Sequence, residues 1–260
     1  MEVTDQLGIK SASPGPAERI ISLVPSLTEL LYELGLTRQI IGVTRYCPPP
    51  KDERRVPAVI GGTKDFDFNR IDELSPDLII GSREENYQAG ISRLREKYPV
   101  WLCDVLILDD ALNMIKDIGS IVGRSVNAAR LVSEITDEFS KLPAFPPLKV
   151  AYLIWQDPFM VAAGGTFINN MLELGGFVNI FQERSRYPVI ILADLAQAEA
   201  VLLSSEPYRF TENEVMVLKT AYPHCKDMLV DGEKFSWYGS HLRYTPAYLQ
   251  QLRAALQQMP

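Results

Sequence analysis

Apolar residues follow two different spacings along this chain, and together these spacings predict strands that alternate with helices. Residues 19–26 contain a short, nearly continuous apolar run, which is typical of a buried strand. Leucines three and four residues apart follow it, and Ser26 and Glu29 have the spacing of a capping box, so we expect a helix to begin there. A strand that leads into a helix recurs in both halves of the chain, which favours an α/β fold with mostly parallel sheets and helices on their faces.

Further elements follow from the same two spacings. Residues 69–86 and 192–208 each combine a helix, a strand and a loop with serine and glutamate, so the two halves resemble lobes of matching architecture. In parallel sheets ligands bind beyond the carboxyl ends of the strands. The other expected elements are a strand at 149–155, a helix at 167–174, strands near 200–203 and 228–230, and a closing helix at 246–257.

Apolar residues three or four positions apart continue from residue 108 to residue 142. This spacing predicts one helix of about 45 Å, at 1.5 Å per residue, that bridges the two lobes. The alternative is a pair of helices broken at Gly119 or Gly123. We therefore predict a flexible lead at 1–18, an N-terminal α/β lobe at 19–107, a bridging helix at 108–142 and a C-terminal α/β lobe at 143–260.

Charge and cysteine content argue against several classes of protein. The 260 residues include 33 acidic and 26 basic side chains, a net charge of −7, without the basic cluster that neutralises nucleic-acid phosphates. The three cysteines are far apart and form no CxxC pair, which is typical of reduced thiols. The first residues lack the basic and apolar regions of a signal peptide. We expect a cytoplasmic protein as the sequence is written, and a periplasmic one if the start is misassigned or a signal was removed.

No catalytic motif accompanies this pattern. The sequence has no GxSxG, GxxxxGK[ST] or HExxH motif, and His224 and His241 are too few for a metal site built on imidazoles. A metal site made of Glu84, Glu85 and Glu206 stays open as an alternative to solvated loop carboxylates. We therefore predict no catalytic residue, no metal ligand and no cofactor.

Aromatic residues gather where the predicted strands end. Core aromatics normally lie inside strands and helices, whereas aromatics in these loops indicate a flat, partly apolar ligand whose polar edges meet nearby charged side chains. Packing beneath a loop is the alternative explanation for any one of these aromatics. The predicted ligand-binding residues are Tyr46, Lys64, Glu85, Trp155, Phe159, Glu206, Tyr208, Trp237 and Tyr238.

Several motifs, in order along the chain, resemble those of one family. The segments IISLVPSLTELLYELGL (20–36), IGVTRYCPPP (41–50), GGTFINNMLELGG (164–176) and FSWYG (235–239) are similar to the helical-backbone class of periplasmic substrate-binding proteins. Within that class they are most similar to the cobalamin-binding and iron-siderophore-binding receptors of ABC importers. The resemblance spans nearly the whole chain, and it implies two Rossmann-like lobes joined by a rigid helix, with the ligand in the cleft.

The resemblance also implies roles for individual residues. Tyr46 matches the aromatic that the cobalamin receptor places against the corrin, and Trp237 falls in the segment that supplies its second-lobe aromatic. The leading hypothesis is a monomeric, non-enzymatic binding protein for a cobalamin-like or metal-chelate ligand, such as a ferric siderophore or haem, that serves an ABC importer. The alternatives are a cytosolic enzyme or chaperone that handles a corrinoid or tetrapyrrole, and an interaction module that has lost small-molecule binding.

The residues through which the family docks to its permease differ in this chain. By the resemblance, the docking carboxylates correspond to Asn69 and Ala193, and neither side chain can pair with an arginine. A charge-paired dock at those two positions is therefore not expected. Asp67, Asp72 and Asp194 are neighbouring carboxylates that could replace them.

Overall fold

The chain forms two compact units, which are described separately. The computed structural model describes residues 2–12, 15–50, 52, 56–223 and 225–259. The units take the following segments: unit 1 has Met1–Val105, Asp109–Glu134 and Tyr238–His241, and unit 2 has Leu106–Leu108, Ile135–Trp237 and Leu242–Pro260.

Most of the strands in the described residues belong to unit 1. They are β1 (Glu2–Thr4), β2 (Lys10–Ala12), β3 (Ile20–Ser22), β4 (Ile40–Val43), β5 (Ala58–Val59), β6 (Gly61–Gly62), β7 (Asp65–Phe66), β8 (Leu78–Ser82) and β9 (Val100–Cys103). The helices are α1 (Pro25–Glu33), α2 (Phe68–Leu74), α3 (Gln88–Arg95), α4 (Leu108–Ile121) from its second residue onward, and the part of α5 (Ser125–Ser140) that precedes Ile135.

Unit 2 contains the later elements. Its strands are β10 (Leu148–Trp155), β11 (Met160–Val161), β12 (Phe177–Asn179), β13 (Ala200–Ser204) and β14 (Lys226–Val230). Its helices are α6 (Phe167–Leu174), α7 (Glu212–Ala221), α8 (Glu233–Ser236), α9 (Thr245–Gln258) and a 3-10 helix at Leu192–Gln197. A second 3-10 helix, Ser240–Tyr244, begins in unit 1 and ends in unit 2.

Five parallel strands form the central sheet of unit 1, in the order β5-β4-β3-β8-β9. Strand β3 lies in the middle of the sheet, where Ile20 stands opposite Leu78 of β8. Every residue of β3 and β8 is buried, as expected for a parallel sheet covered on both faces. The continuous apolar runs therefore predicted both strands correctly, and the α/β fold class is confirmed.

Helix α1 is present, but its predicted capping box is wrong. Pro25 occupies the first turn, where its missing N–H costs nothing, and the cap residue is Val24, which has no side-chain acceptor. Ser26 consequently lies inside the helix and forms no cap hydrogen bond. Glu29 is directed toward a different partner, described below.

The central sheet of unit 2 has the order β11-β10-β13-β14, and β12 also pairs with β10. Strands β10, β12, β13 and β14 are parallel to their neighbours, and only β11 is antiparallel. Helix α6 begins where the sequence predicts it, because the Thr166 hydroxyl accepts a hydrogen bond from the Asn169 amide at 3.1 Å. Parallel pairing again places the carboxyl ends of β10, β13 and β14 at one edge of the sheet.

The predicted single helix over residues 108–142 is wrong, and the alternative of a break at Gly123 is confirmed. Gly123 has φ +67°, a left-handed conformation that favours glycine. The amide of Gly123 bonds the carbonyl of Ser120, and the amide of Arg124 bonds that of Gly119, which is the Schellman pattern that ends a helix. Gly119 has another role, since a Cβ there would lie 2.3 Å from Ala128 Cβ of α5.

The segment expected to be a flexible lead contains an antiparallel hairpin of β1 and β2. Its turn is organised by Asp5, whose carboxylate accepts from the amides of Leu7 and Ile9 at 3.0 and 2.8 Å. The same carboxylate pairs with Arg95 of α3 at 2.5 Å and is buried. The ion pair between Asp5 and Arg95 therefore holds residues 2–12 against the rest of unit 1, and local sequence spacing does not indicate this contact.

Within the described ranges, every helix is too short or too polar to cross a membrane.

Candidate functional site

The predicted ligand-binding residues are divided between the two units. Unit 1 holds Tyr46, Lys64, Glu85 and Tyr238, and unit 2 holds Trp155, Phe159, Glu206, Tyr208 and Trp237. The domain prediction had assigned Tyr238 to the C-terminal lobe, whereas its contacts place it in unit 1.

Tyr46 is the third residue after the carboxyl end of β4 and is 68% exposed. The preceding residue, Arg45, donates a hydrogen bond to Asp65 at 2.8 Å and also interacts with the Tyr46 hydroxyl. Lys64, in the turn between β6 and β7, is exposed and donates to the Glu84 carbonyl at 3.2 Å. An accessible aromatic ring therefore lies beside one cationic side chain, that of Arg45, in this part of unit 1.

Glu85 belongs to a buried hydrogen-bond network that we call the Tyr238 cluster: Ser82, Glu85 and Tyr238. The Tyr238 hydroxyl lies 2.7 Å from Ser82 Oγ and 3.1 Å from Glu85 Oε1. Burial raises its pKa well above the ordinary value, with further contributions from Cys103 and Glu85, so it stays a neutral donor. Tyr238 is only 4% exposed, which agrees with the alternative explanation that an aromatic in these loops packs beneath the loop.

The segment that carries Tyr238 has a second attachment in unit 1, which the sequence did not indicate. Glu29 of α1 accepts hydrogen bonds from Ser240 Oγ at 2.8 Å and from His241 Nδ1 at 3.2 Å. Its position three residues after Ser26 gave the appearance of a capping box. The carboxylate in fact anchors residues more than 200 positions away, a separation that no local pattern reports.

Two predicted aromatics of unit 2, Trp155 and Tyr208, form a row with Phe210 at the carboxyl end of β10. Trp155, the last residue of β10, is 40% exposed and meets Tyr208 edge-on with ring centroids 5.7 Å apart. Tyr208 in turn meets Phe210 at 4.8 Å. Phe159 and Tyr208 pack against the hydrophobic core of the unit, so Trp155 is the most accessible member of the row.

Glu206 belongs to a second network, the Glu206 cluster: Ser204, Glu206, Ser236 and Trp237. Ser204 ends β13, and its hydroxyl bonds the Glu206 amide at 3.2 Å and the Glu206 carbonyl at 2.6 Å. The carboxylate accepts from the Ser236 hydroxyl at the end of α8 and from the Trp237 side chain. Trp237 itself is half-buried.

Opposing influences act on the Glu206 carboxyl group. Burial raises its pKa above the ordinary value, and the nearby charges of Glu233 and Asp231 add to that rise. The hydrogen bonds from Ser236 and Trp237 act in the other direction, because they stabilise the ionised form. The carboxylate is thus held by protein donors in a site that would otherwise favour its neutral form.

The described residues contain no group of three or more histidine, cysteine, aspartate or glutamate side chains arranged to hold a metal ion. The alternative of a metal site at Glu84, Glu85 and Glu206 therefore gains no support. His224, one of the two histidines considered for metal binding, lies outside the described residues.

Each predicted substitute for a docking carboxylate has a partner within its own unit. Asn69 and Ala193 are both exposed. Asp67 caps α2 by accepting from the Arg70 amide, and Asp194 accepts from the Ile191 amide at 3.3 Å. Asp72 accepts from Lys97 and Tyr98, and the hydrogen bond from Lys97 contributes most to lowering its pKa.

Sequence comparison finds binding proteins for vitamin B12 among the relatives. The vitamin B12-binding protein of Vibrio cholerae is 27% identical over 203 residues, 75% of this chain and 73% of the relative. That of Pectobacterium atrosepticum is 26% identical over 176 residues, and the match spans 64% of this chain and 63% of the relative's length.

Structural comparison finds the same fold in proteins with several kinds of ligand. The periplasmic vitamin B12 binding protein BtuF of Vibrio cholerae superposes with a TM-score of 0.73, covering 95% of this chain and 100% of its own, at 19% identity. The periplasmic heme binding protein HutB of Vibrio cholerae gives 0.74, covering 92% and 98%, at 20% identity. An Fe3+-hydroxamate transport protein of Saccharomonospora viridis gives 0.74, covering 100% and 99%, at 16% identity.

A model of the periplasmic binding protein family matches residues 20–205, which include the central sheet of unit 1 and reach the Glu206 cluster in unit 2. This match agrees with the expectation of a binding protein, and it gives no support to the corrinoid-handling enzyme considered from the sequence. The chain belongs to the periplasmic binding protein family.

Proposed function

We propose that this protein binds a cobalamin-like or metal-chelate ligand and delivers it, as a monomer, to the permease of an ABC importer. The observation that carries the proposal is the exposure of Tyr46, a large aromatic in the loop after β4, a strand of the parallel sheet. Its ring is 68% exposed, so it is accessible to a flat ligand, and an aromatic ring supplies a large contact area. Trp155 and Trp237 are the proposed aromatic contacts from unit 2.

Relatives support cobalamin as the first ligand to test. The curated relatives are named as vitamin B12-binding proteins, and one solved structure with the same fold carries that name as well. Other proteins with the fold are named for heme and for Fe3+-hydroxamate. We therefore rank cobalamin first, followed by haem and ferric hydroxamates.

Titration with cyanocobalamin tests the proposal directly. We expect saturable binding by isothermal titration calorimetry, and Tyr46→Ala to weaken it by at least tenfold, because a central aromatic contact contributes about 2 kcal/mol or more. Tyr244→Ala is the matched control, since Tyr244 is also exposed, at 54%, and is not a predicted contact. We expect this control to leave the affinity unchanged.

Two results would redirect the proposal. If the folded protein does not bind cyanocobalamin but binds haemin or a ferric hydroxamate, the proposed receptor function stands with a different ligand. Protein that binds none of the three would refute small-molecule binding of this class. Conversion of cyanocobalamin during incubation would instead support the enzyme alternative.

Delivery to a permease involves two positions at which this chain lacks the docking carboxylates that the family resemblance implies. We propose that Asp67 and Asp194 supply the charges that Asn69 and Ala193 lack, because both lie within two residues of those positions. The family's name favours the periplasmic one of the two expected locations. Osmotic-shock fractionation of the native host, with immunodetection, would decide between the two compartments.

A further inference from the structure

Among the residues predicted to contact a ligand, Glu206 has a carboxylate that accepts hydrogen bonds from two neighbouring side chains, those of Ser236 and Trp237. It lies just beyond β13, where the Ser204 hydroxyl bonds both its amide and its carbonyl. Gly232 packs against the same turn, and a Cβ at Gly232 would lie 2.6 Å from Glu206 Cγ and 2.5 Å from Ser204 Oγ. Backbone and side chain are thus both confined, so the carboxylate has little freedom to turn toward solvent.

The carboxylate is directed at the end of α8. Ser236, the last residue of that helix, donates its hydroxyl proton to Glu206 Oε1. Trp237 follows as the cap residue, with its amide bonded to the Glu233 carbonyl at 3.0 Å. The Trp237 side chain also donates to the Glu206 carboxylate, and its only donor is the indole Nε1–H.

This arrangement fixes one edge of an aromatic ring. A four-residue helix provides little support for the side chain that follows it, and a half-buried tryptophan without a polar partner can adopt several rotamers. A hydrogen bond from the indole N–H to a confined carboxylate selects one orientation. Bonds to charged acceptors are stronger than neutral ones, which makes glutamate well suited to this task.

We propose that Glu206 is a positioning residue, which holds the Trp237 indole, together with Ser236, in the orientation in which the ring meets the ligand. The inference rests on the proposed binding function and gives Glu206 a role within it. Glu206 acts on the ligand through Trp237, and it is neither an acceptor for amide groups of the ligand nor a ligand of its metal.

One experiment needs no ligand. The chain has three tryptophans, so protein labelled with 15N in the indole gives three Nε1–H signals, and Trp237→Phe identifies the one of interest. We expect Glu206→Leu to shift the Trp237 signal, and acidification to shift it in the wild type as Glu206 becomes protonated. The Trp101 signal is the internal control, because that indole donates to the Thr4 carbonyl. A Trp237 signal that is the same in wild type and Glu206→Leu would overturn the proposal.

The second experiment measures cyanocobalamin affinity by calorimetry. We expect Glu206→Leu to weaken binding about tenfold and Glu206→Gln, which keeps one acceptor oxygen, by at most about threefold. Glu233→Gln removes a nearby charge without removing the acceptor, and we expect it to leave the affinity unchanged.

A double-mutant cycle then separates positioning from direct contact. Trp237→Phe keeps an aromatic ring at this position but removes the indole N–H donor. In that background Glu206→Leu should therefore have no further effect on affinity. Equal losses from Glu206→Leu in both backgrounds would mean that Glu206 touches the ligand itself and would refute the proposal. Failure of the wild type to bind cyanocobalamin would refute cobalamin as the ligand, whereas the indole signals would still decide whether Glu206 holds Trp237.

Discussion

The Tyr238 cluster of unit 1 and the Glu206 cluster of unit 2 are built from the same parts but treat their aromatic residue differently. In each, a serine at the end of a parallel strand bonds the amide of a glutamate just beyond it. The Tyr238 cluster encloses its aromatic, which is 4% exposed, whereas the Glu206 cluster leaves Trp237 half-buried. The first arrangement therefore secures the fold, and the second is suited to presenting a ring.

The two aromatics are adjacent in sequence, and the chain changes unit between them. Trp237 has an extended backbone, with φ −86° and ψ 98°, in which successive side chains point in opposite directions. Tyr238 can then be buried in unit 1 while the Trp237 side chain reaches Glu206 in unit 2. Two neighbouring residues that look equivalent in the sequence thus have different roles.

The largest expected difference between the clusters concerns stability. Tyr238→Ala removes a buried ring and its hydrogen bonds, and we expect it to lower the free energy of unfolding by about 3–5 kcal/mol. Trp237→Ala should lower it by less than about 2 kcal/mol, because the ring is only half-buried. Urea denaturation followed by circular dichroism measures both values. Tyr238→Phe keeps the ring, so its free energy of unfolding should fall between those of the wild type and Tyr238→Ala. Equal losses of stability from Tyr238→Ala and Trp237→Ala would show that the two clusters do not differ in their contribution to the fold.

Glu206 differs from another carboxylate of unit 2, Asp227, in the hydrogen bonds that it accepts. Asp227, on β14, is buried, and burial raises its pKa from 3.8 to about 6. Among the described residues neither carboxylate oxygen of Asp227 has a hydrogen-bond partner, whereas the Glu206 carboxylate accepts from a hydroxyl and an indole. We therefore expect the free energy of unfolding to depend on pH through the ionisation of Asp227, because its charged form is poorly stabilised in the folded chain.

The direction of this pH dependence follows from the difference between the Asp227 pKa in the folded and in the unfolded chain. Between about pH 4 and pH 6 the unfolded chain ionises Asp227 while the folded chain keeps it protonated, so the stability of the wild type falls as pH rises through this range. Asp227→Asn lacks this loss. We expect the variant to match the wild type below pH 4 and to exceed it at pH 7 by at most about 3 kcal/mol, measured by urea denaturation across the pH series. A stability difference that does not change with pH would show that Asp227 does not titrate in this range.

Local spacing predicted the elements whose residues are close in sequence. The buried strands β3, β8, β10 and β13 appear as apolar runs, and α6 has its Thr166 cap. The break at Gly123 was harder to predict, because the apolar residues keep helical spacing across it and only the glycine's left-handed conformation ends α4.

The predicted ligand contacts stay predictions, and the structure reports only the accessibility and the partners of these side chains. Tyr46, in the loop after β4, and Trp155, the last residue of β10, are both exposed. The hydrogen bond from Ser236 to Glu206 joins residues 30 positions apart, and that from Tyr238 to Glu85 joins residues 153 apart. Such contacts depend on tertiary packing, so the sequence indicated where the glutamates lie and not what they bind.

The smallest expected effect concerns the exposed aromatic of unit 1. Tyr46 has Arg45 as its neighbour, and Arg45 pairs with Asp65 at 2.8 Å in a solvent-exposed ion pair. Such pairs contribute little, because water screens the charges and long side chains lose freedom. We expect Asp65→Asn to weaken cyanocobalamin binding by less than about threefold in low salt and to have no effect in 0.5 M salt, where Glu206→Leu should still act. If Asp65→Asn weakened cyanocobalamin binding as much as Glu206→Leu does, an exposed ion pair would orient an aromatic ring as firmly as a half-buried carboxylate. The two units would then differ in how deeply these charged groups are buried and not in how firmly they hold a ring.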